Sequence, residues 1–310
     1  MLTFVAPLSL GEPFPYGLAM KVVRCASPQE FLEATTLYRE REPIRTNILG
    51  SVATSVAQGS HHYDDYIWWV LRDGDNVVGA ALRTAPYGMQ LGPMSAEVAA
   101  ALAFEVSVHD DHFPWALASD ASIAAFIEAY RSSGSPGSAR PSVLGRRDVV
   151  YEAGAIALPI VKGSYRVATL KDLNLAFQWS IDFQAFIDGV PPRFDKRDHD
   201  FMRTRIAGGG LWFWCVDQVP VAMAGYAAPV RVPTGTVTRI GPVYTPDEHR
   251  GNGYAAAITS VLTAELVRRG SRVMLYADAS NATSNGVYRR IGFQAIDEVV
   301  RVDFVNGSRV

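Results

Sequence analysis

Little of this sequence is charged, and almost none of it is sulfur. Of 310 residues only 2 are cysteine, Cys25 and Cys215, far apart and neither in a CxxC pair. That argues against a disulfide framework or a cysteine-based zinc site and fits a reducing cytoplasmic setting. Charged residues make up 19% with a net charge of −2, and no block of lysines or arginines occurs. A nucleic-acid partner, which relies on clustered basic charge, is therefore not expected. No run approaches the ~18 uninterrupted apolar residues that a membrane span needs, so no membrane partner is expected either. Residues 1–19 are apolar but lack a basic start, and prolines, glycines and Glu12 interrupt them. They read as an N-terminal extension rather than a signal peptide, with Met20 opening the first domain. What is plentiful is apolar: 48% of the chain, enough for a well-filled core, in a length that suits two domains.

Two parts of the chain echo each other. LASDASIAAFIEAYR (117–131) and LYADASNATSNGVYR (275–289) agree at Leu117, Asp120, Ala121, Ser122, Ala124, Tyr130 and Arg131 with an offset of 158. VVGAALRTAP (77–86) resembles PVAMAGYAAP (220–229), and Leu91-Gly92-Pro93 resembles Ile240-Gly241-Pro242. The offset grows from 143 through 149 to 158, as insertions in a second copy would produce. Three matches in one order indicate duplication. Each copy then reads as a helical start, two strands with a turn, and a strand–helix–strand–helix succession: an α/β fold of two tandem domains. The Gly, Ser and Pro of SSGSPGSARPS (132–142) read as a mobile loop, and VVYEAGAIAL (149–158) as the closing strands of the first copy. This divides the chain into the extension 1–19, a first domain 20–160 and a second domain 161–310.

The second copy contains a segment that the first lacks. TVTRIGPVYT (236–245) reads as a strand, and Ile258, Val261, Leu262 and Leu266 recur at the spacing of a helix with one buried face. Arg268, Arg269 and Gly270 suit the helix's end. Arg250-Gly251-Asn252-Gly253 thus lies where a strand turns into a helix N-terminus. The first N–H groups of a helix have no internal partners, and the helix dipole adds positive potential there. Two glycines in front of them keep side chains away, which makes a cradle for a diphosphate. In the first copy, 23 residues separate Pro93 from Leu117, against 32 between Pro242 and Leu275. The missing positions fall where the cradle would be, and MSAEVAAALA supplies neither arginine nor glycine.

Arg250-Gly251-Asn252-Gly253-Tyr254-Ala255 resembles R-x-x-G-x-G/A, the acyl-CoA loop of the GNAT superfamily of N-acyltransferases. It is neither a P-loop nor a Rossmann fingerprint. The segment from Asn281 to Phe293, NATSNGVYRRIGF, resembles the superfamily's second motif. The resemblance covers about residues 164–305, and the wording is closest to a poorly characterised bacterial branch of predicted acetyltransferases. It implies a fold in which each copy has a mixed, mostly antiparallel central sheet flanked by helices. It further implies acetyl-CoA as cosubstrate, no metal, and direct transfer of the acyl group to a small-molecule or peptide amine. The first copy is then a GNAT-like domain without the CoA loop, and the protein a monomer or homodimer.

The residue roles implied are these. Val243 and Tyr244 offer backbone groups to the pantetheine arm, and residues 250–255 hold the diphosphate. Asn281 bonds the same arm or caps the following helix. Tyr288 is the general acid, with core packing as its alternative. An amine of pKa about 10.4 is neutral roughly once in 2,500 molecules at pH 7, a deficit of about 4.6 kcal/mol, so a proton must be removed. Asp278, Glu248 and ordered water are all open as its acceptor. Asp182 and Asp188 could attract a cationic substrate, and Phe183, Phe186, Trp212 and Trp214 could line its pocket, but carboxylates in this region are more often surface charge, and core packing is the expected duty of most of the aromatics. His61-His62 and His109-Asp110-Asp111-His112 have metal-ligand types but no HExxH or cysteine partner, so a structural or surface role is expected. Two rival readings remain: a non-catalytic acyl-CoA-binding module, and a tandem transferase fed by aminoacyl-tRNA.

Overall fold

Alternating apolar residues build a hairpin in each half. YIWWVLRD and NVVGAALRT pair across a turn whose Gly74 has φ of +55°, and LWFWCV pairs with VPVAMAGY across Asp217 and Gln218, both at positive φ. Two consecutive left-handed residues match the twist of the strands they join. The computed structural model describes residues 20–109, 113–188 and 196–305. The extension 1–19 and His109's neighbours 110–112 fall outside these.

The first half runs β1 (Met20–Cys25), α1 (Pro28–Ala34), α2 (Thr36–Arg41), α3 (Asn47–Ala57), β2 (Tyr66–Asp73), β3 (Asn76–Thr84), β4 (Met89–Leu91), α4 (Ala96–His109), β5 (Trp115–Ala118), α5 (Asp120–Ser132) and β6 (Ser142–Ala153). The second runs β7 (Ser164–Val167), α6 (Leu173–Asp188), α7 (Lys196–Ala207), β8 (Leu211–Val216), β9 (Val219–Tyr226), β10 (Val230–Val232), β11 (Gly235–Tyr244), α8 (Tyr254–Arg268), β12 (Ser271–Asp278), α9 (Ala282–Arg290) and β13 (Phe293–Phe304).

These strands form one continuous sheet in the order β1-β2-β3-β4-β5-β13-β6-β12-β11-β9-β8-β7, with β10 paired to β11. Among the described residues only β4·β5 and β11·β12 are parallel, and the other strand pairs are antiparallel. The mixed, mostly antiparallel character matches the sequence reading. The closing strand does not. Residues 149–153 belong to β6, which leaves its own half to lie between β12 and β13, while β13 reaches back to pair with β5. The halves exchange their last strands, and the order reads symmetrically about the β13·β6 seam.

The exchange joins the cores. Phe304 of β13 packs edge-on against Phe113, at 5.0 Å between ring centroids, inside the first half. Tyr151 of β6 is buried with Leu262, Leu275 and Ile291 in the second. A smaller cluster of Ile44, Val150, Val237 and Met274 sits on the opposite sheet face, where α3 of the first half covers β11. The segment read as a mobile loop is instead built: Pro136–Ala139 form a 3-10 turn, Ser138 is buried, and the Arg140 guanidinium lies 5.0 Å from the Phe304 ring centre.

Candidate active site

The parallel pair β11·β12 holds register only from Thr236↔Ser271 to Arg239↔Met274. Beyond that β11 stays with β9, placing Val243 opposite Ala224 and Tyr244 opposite Met223. Meanwhile β12 stays with β6 as far as Asp278 opposite Asp148. The two strands therefore open like a V. Pro242, which has no N–H to give a ladder, and Gly241, at φ +153°, sit where the separation begins, beside an irregularity in the β9 register.

The loop closes the mouth of the V. Asp247–His249 make one 3-10 turn, and the chain then passes through Gly251 at φ +80° and Gly253 at +78° into α8. A side chain at Gly251 would meet no neighbour within 4 Å, so the left-handed backbone, not crowding, requires glycine there. Arg250 acts inside the loop. Its Nε donates to the Thr245 carbonyl at 3.1 Å, its guanidinium pairs with Asp247 at 2.7 Å, and it lies 5.1 Å over the Phe186 ring of α6. The Asn252 amide donates to the carbonyls of His249 and Arg250, at 3.1 Å each. Gly253 is the N-cap of α8 and supplies no side-chain cap, and the first turn carries no acidic residue. Tyr254 and Ala255 begin that turn, with Tyr254 packed against the core. The Thr245 hydroxyl, also at this end, is buried without a partner.

At the other strand, Asn281 is the N-cap of α9: its Oδ1 accepts from the Ser284 N–H at 2.9 Å. Of the two duties read for it, capping is the one its side-chain oxygen performs. Asp278 Oδ1 accepts from both the N–H and the hydroxyl of Ser280, at 2.8 and 2.7 Å, so this carboxylate holds a turn. Glu248 is exposed on the loop. Tyr288 packs between Tyr151 and Phe293, with ring centroids 6.1 and 6.0 Å away. Burial, then the nearby Tyr151 phenol, pushes the Tyr288 phenol up to about 12. Burial also raises Tyr244, followed by the charge of Asp182. Asp182 itself accepts from Gln178 at 2.9 Å. The Asp188 side chain lies outside the described residues. Trp212 and Trp214 are buried, each donating to a backbone carbonyl, and Phe183 is half-buried. His61 packs against Tyr63 and Phe201, and His109 faces Glu105 at 3.4 Å.

Several neighbours escaped the sequence reading because they come from distant segments. Tyr151, on the strand supplied by the first half, donates to Asn285 Oδ1 at 2.9 Å beside Tyr288. Asp148, also on β6, is buried opposite Asp278, and burial raises its carboxyl against the pull of Arg146 at 2.9 Å. No short-range periodicity announces either.

Residues 227–302 match the family model described as FR47-like protein, a span that takes in the V, the loop, α8, β12, α9 and most of β13. Among solved structures, a Drosophila protein aligns over 94% of this chain and 100% of its own at 12% identity, TM-score 0.64. An acetyltransferase from the GNAT family of Colwellia psychrerythraea aligns over 92% and 100%, at 13% identity and TM-score 0.55. A tandem GNAT protein from the clavulanic acid biosynthesis pathway aligns over 93% and 99%, at 13% identity and TM-score 0.51. This chain has a tandem GNAT fold. At such identities the likeness is one of architecture, and it spans both halves. No curated protein matches the sequence. Within the GNAT fold, the V and the loop of the second half stand together at one end of the sheet; among the described residues no three potential metal ligands converge and no helix is long and apolar enough to cross a membrane.

Proposed function

We propose that the chain is an acyl-CoA-dependent N-acyltransferase, with acetyl-CoA as donor and an amine as acceptor. Residues 161–310 form its catalytic domain and residues 20–160 a partner without the CoA loop. One observation carries this reading: a parallel strand pair that opens toward an uncapped helix N-terminus behind two left-handed glycines. The residues fit the donor. The amides of Gly251 to Ala255, with the helix dipole behind them, suit a diphosphate. The edge of Val243 and Tyr244 that β12 has left suits the amides of a pantetheine arm.

The thioester supplies an activated acyl group; the protein must orient it, accept a proton from the amine and support the departing sulfur. Tyr288, with its pKa near 12, stays protonated across the neutral range. It is a weaker acid than a thiol of pKa about 8.5, so it donates a charge-assisted hydrogen bond to the leaving sulfur, and solvent completes the protonation. Asp278 holds its turn and Glu248 is exposed, whereas Asp148 is buried and, although it accepts from Arg146, has its carboxyl raised by burial, which suits it to receive the amine's proton, directly or through ordered water.

The reading is tested by calorimetry with coenzyme A and by thiol release from acetyl-CoA across an amine library. Coenzyme A uptake with thiol release on at least one amine supports it. Uptake with no release from any amine favours a non-catalytic binding module, and absence of uptake sinks the reading.

A further inference from the structure

On the sheet face covered by the first half, the Arg239 guanidinium has no counter-charge among the described residues. Arg239 is the last β11 residue in register with β12, so it stands at the vertex of the V. It is half-buried, its Nε is shielded from solvent without a hydrogen-bond partner, and it makes no ion pair with the described residues. The groups that act on its charge are two phenols, of Tyr276 on β12 and Tyr63 from the first half. Asp148 and Asp297 reach Tyr276 but do not offset Arg239, and Asp297 is held by Arg45 at 2.8 Å. Nearby, Arg205 is satisfied differently: it donates to the carbonyls of Gly210 and Gly241. Burial and the charge of Arg239 together lower Arg205 to about 10. Two cations thus share one water-poor region. The cost of leaving a guanidinium there unpaired is several times that of an exposed one, and an anion would relieve it.

We infer that the acceptor carries a carboxylate, and that Arg239, with Tyr63 and Tyr276 beside it, binds that carboxylate at the vertex of the V while the amine faces the acyl group. The first half then takes part in substrate choice, since Tyr63, Ile44 in the turn before α3, and Asn47 of α3 wall this face; the Asn47 amide donates to the Val237 carbonyl at 3.3 Å. The inference rests on the acyltransferase reading for the identity of the ligand as acceptor, but its anion preference can be measured without turnover.

The probes are N-acetylated amino acids, as product analogues, and the matching N-acetyl amino amides. Each pair is titrated into the full chain with coenzyme A present. Coenzyme A uptake is measured separately, and if it fails the pairs are titrated without it, so failure of the donor reading is told apart from failure here. At least one acid is expected to bind tenfold or more tighter than its amide, and in Arg239→Met and Arg239→Gln that preference should fall to within about twofold. Arg239→Met should melt no lower than wild type, because it removes a half-buried charge that had no carboxylate partner to orphan. Equal binding of acids and amides would overturn the inference. So would a preference that survives both substitutions, or melting of both variants more than about 5 °C below wild type, which would mark Arg239 as structural.

Discussion

Both halves place a helix behind a parallel strand pair, and they finish its first turn in opposite ways. In the first half only four residues separate β4 from α4, the Ser95 hydroxyl accepts from the Val98 N–H at 3.4 Å, and Glu97 puts a carboxylate in the first turn. Hydrogen bonding to Ser95, then to its own backbone, lowers the Glu97 carboxyl, keeping it ionised where a phosphate would otherwise sit. The Ser122 hydroxyl ties α5 to the Met94 carbonyl at 2.7 Å, closing the mouth between strands. In the second half nine residues intervene between β11 and α8, the N-cap is a bare glycine and no acid follows. The same positive end of a helix is neutralised from within in one copy and left open to a ligand in the other. Tyrosine shows the same divergence. Tyr130, the echo of Tyr288, is fully buried among Phe113, Phe126 and Phe304. Tyr288 is only half-buried, next to the open V.

The largest effect should come from the tyrosine pair. Tyr288→Phe is expected to lower kcat about a hundredfold with coenzyme A affinity within about twofold, whereas Tyr130→Phe should leave kcat unchanged. Steady-state kinetics beside calorimetry reads this, and equal effects at both positions would erase the distinction drawn between the copies. Next, Ala255→Glu writes the first half's solution into the second, since Ala255 and Glu97 are each the second residue of their helix. A carboxylate there should weaken coenzyme A binding at least tenfold by repulsion and by competing for the free amides. Arg250→Ala removes the Thr245 and Asp247 contacts and the cation above Phe186. It should raise the dissociation constant about tenfold with little change in melting temperature. The smallest effect tests the exchanged strand. Tyr151→Phe leaves Asn285 Oδ1 without its donor and should cost about 1–2 kcal/mol in denaturant unfolding, although residue 151 lies in the other half of the chain.

The pH response follows the same site. Tyr288 has its folded pKa raised to about 12, so above the ordinary value near 10 the unfolded chain loses a proton that the folded chain keeps. Stability contributed by this group is complete below pH 10 and declines from pH 10 toward 12; equilibrium unfolding across that range, compared with Tyr288→Phe, measures it. The alkaline limb of kcat should not begin below about pH 10 if Tyr288 is the group that must stay protonated.

Hairpin strands, the α8 stripe and the glycine loop were legible because each is a local pattern: alternation, a 3.6-residue period, and left-handed positions that only glycine takes cheaply. The duplication was legible too, yet it misled where it was pressed furthest. Residues 149–153 have the apolar alternation of a strand, but that alternation holds whichever neighbour pairs with it, so it could not reveal that β6 lies against β12. At an offset of 158 the echo also aligns Asp120, which starts α5, with Asp278, which ends β12. The first turn of the second helix has become a turn through Ser280, and the Asn281 cap restarts it.

What the sequence determined by itself is the set of elements and the one loop with unpaired amides, because both depend on residues a few positions apart. Only the tertiary structure decided which strands share an edge, how β11 leaves β12, that Tyr151 stands by Tyr288, and that Arg239 is half-buried, its Nε shielded, without a carboxylate. Those are outcomes of contacts between residues from about twenty to well over a hundred positions apart, such as Val243 opposite Ala224 and Tyr151 with Asn285, and burial sets their energies by removing water from groups whose chemistry alone says nothing of their surroundings.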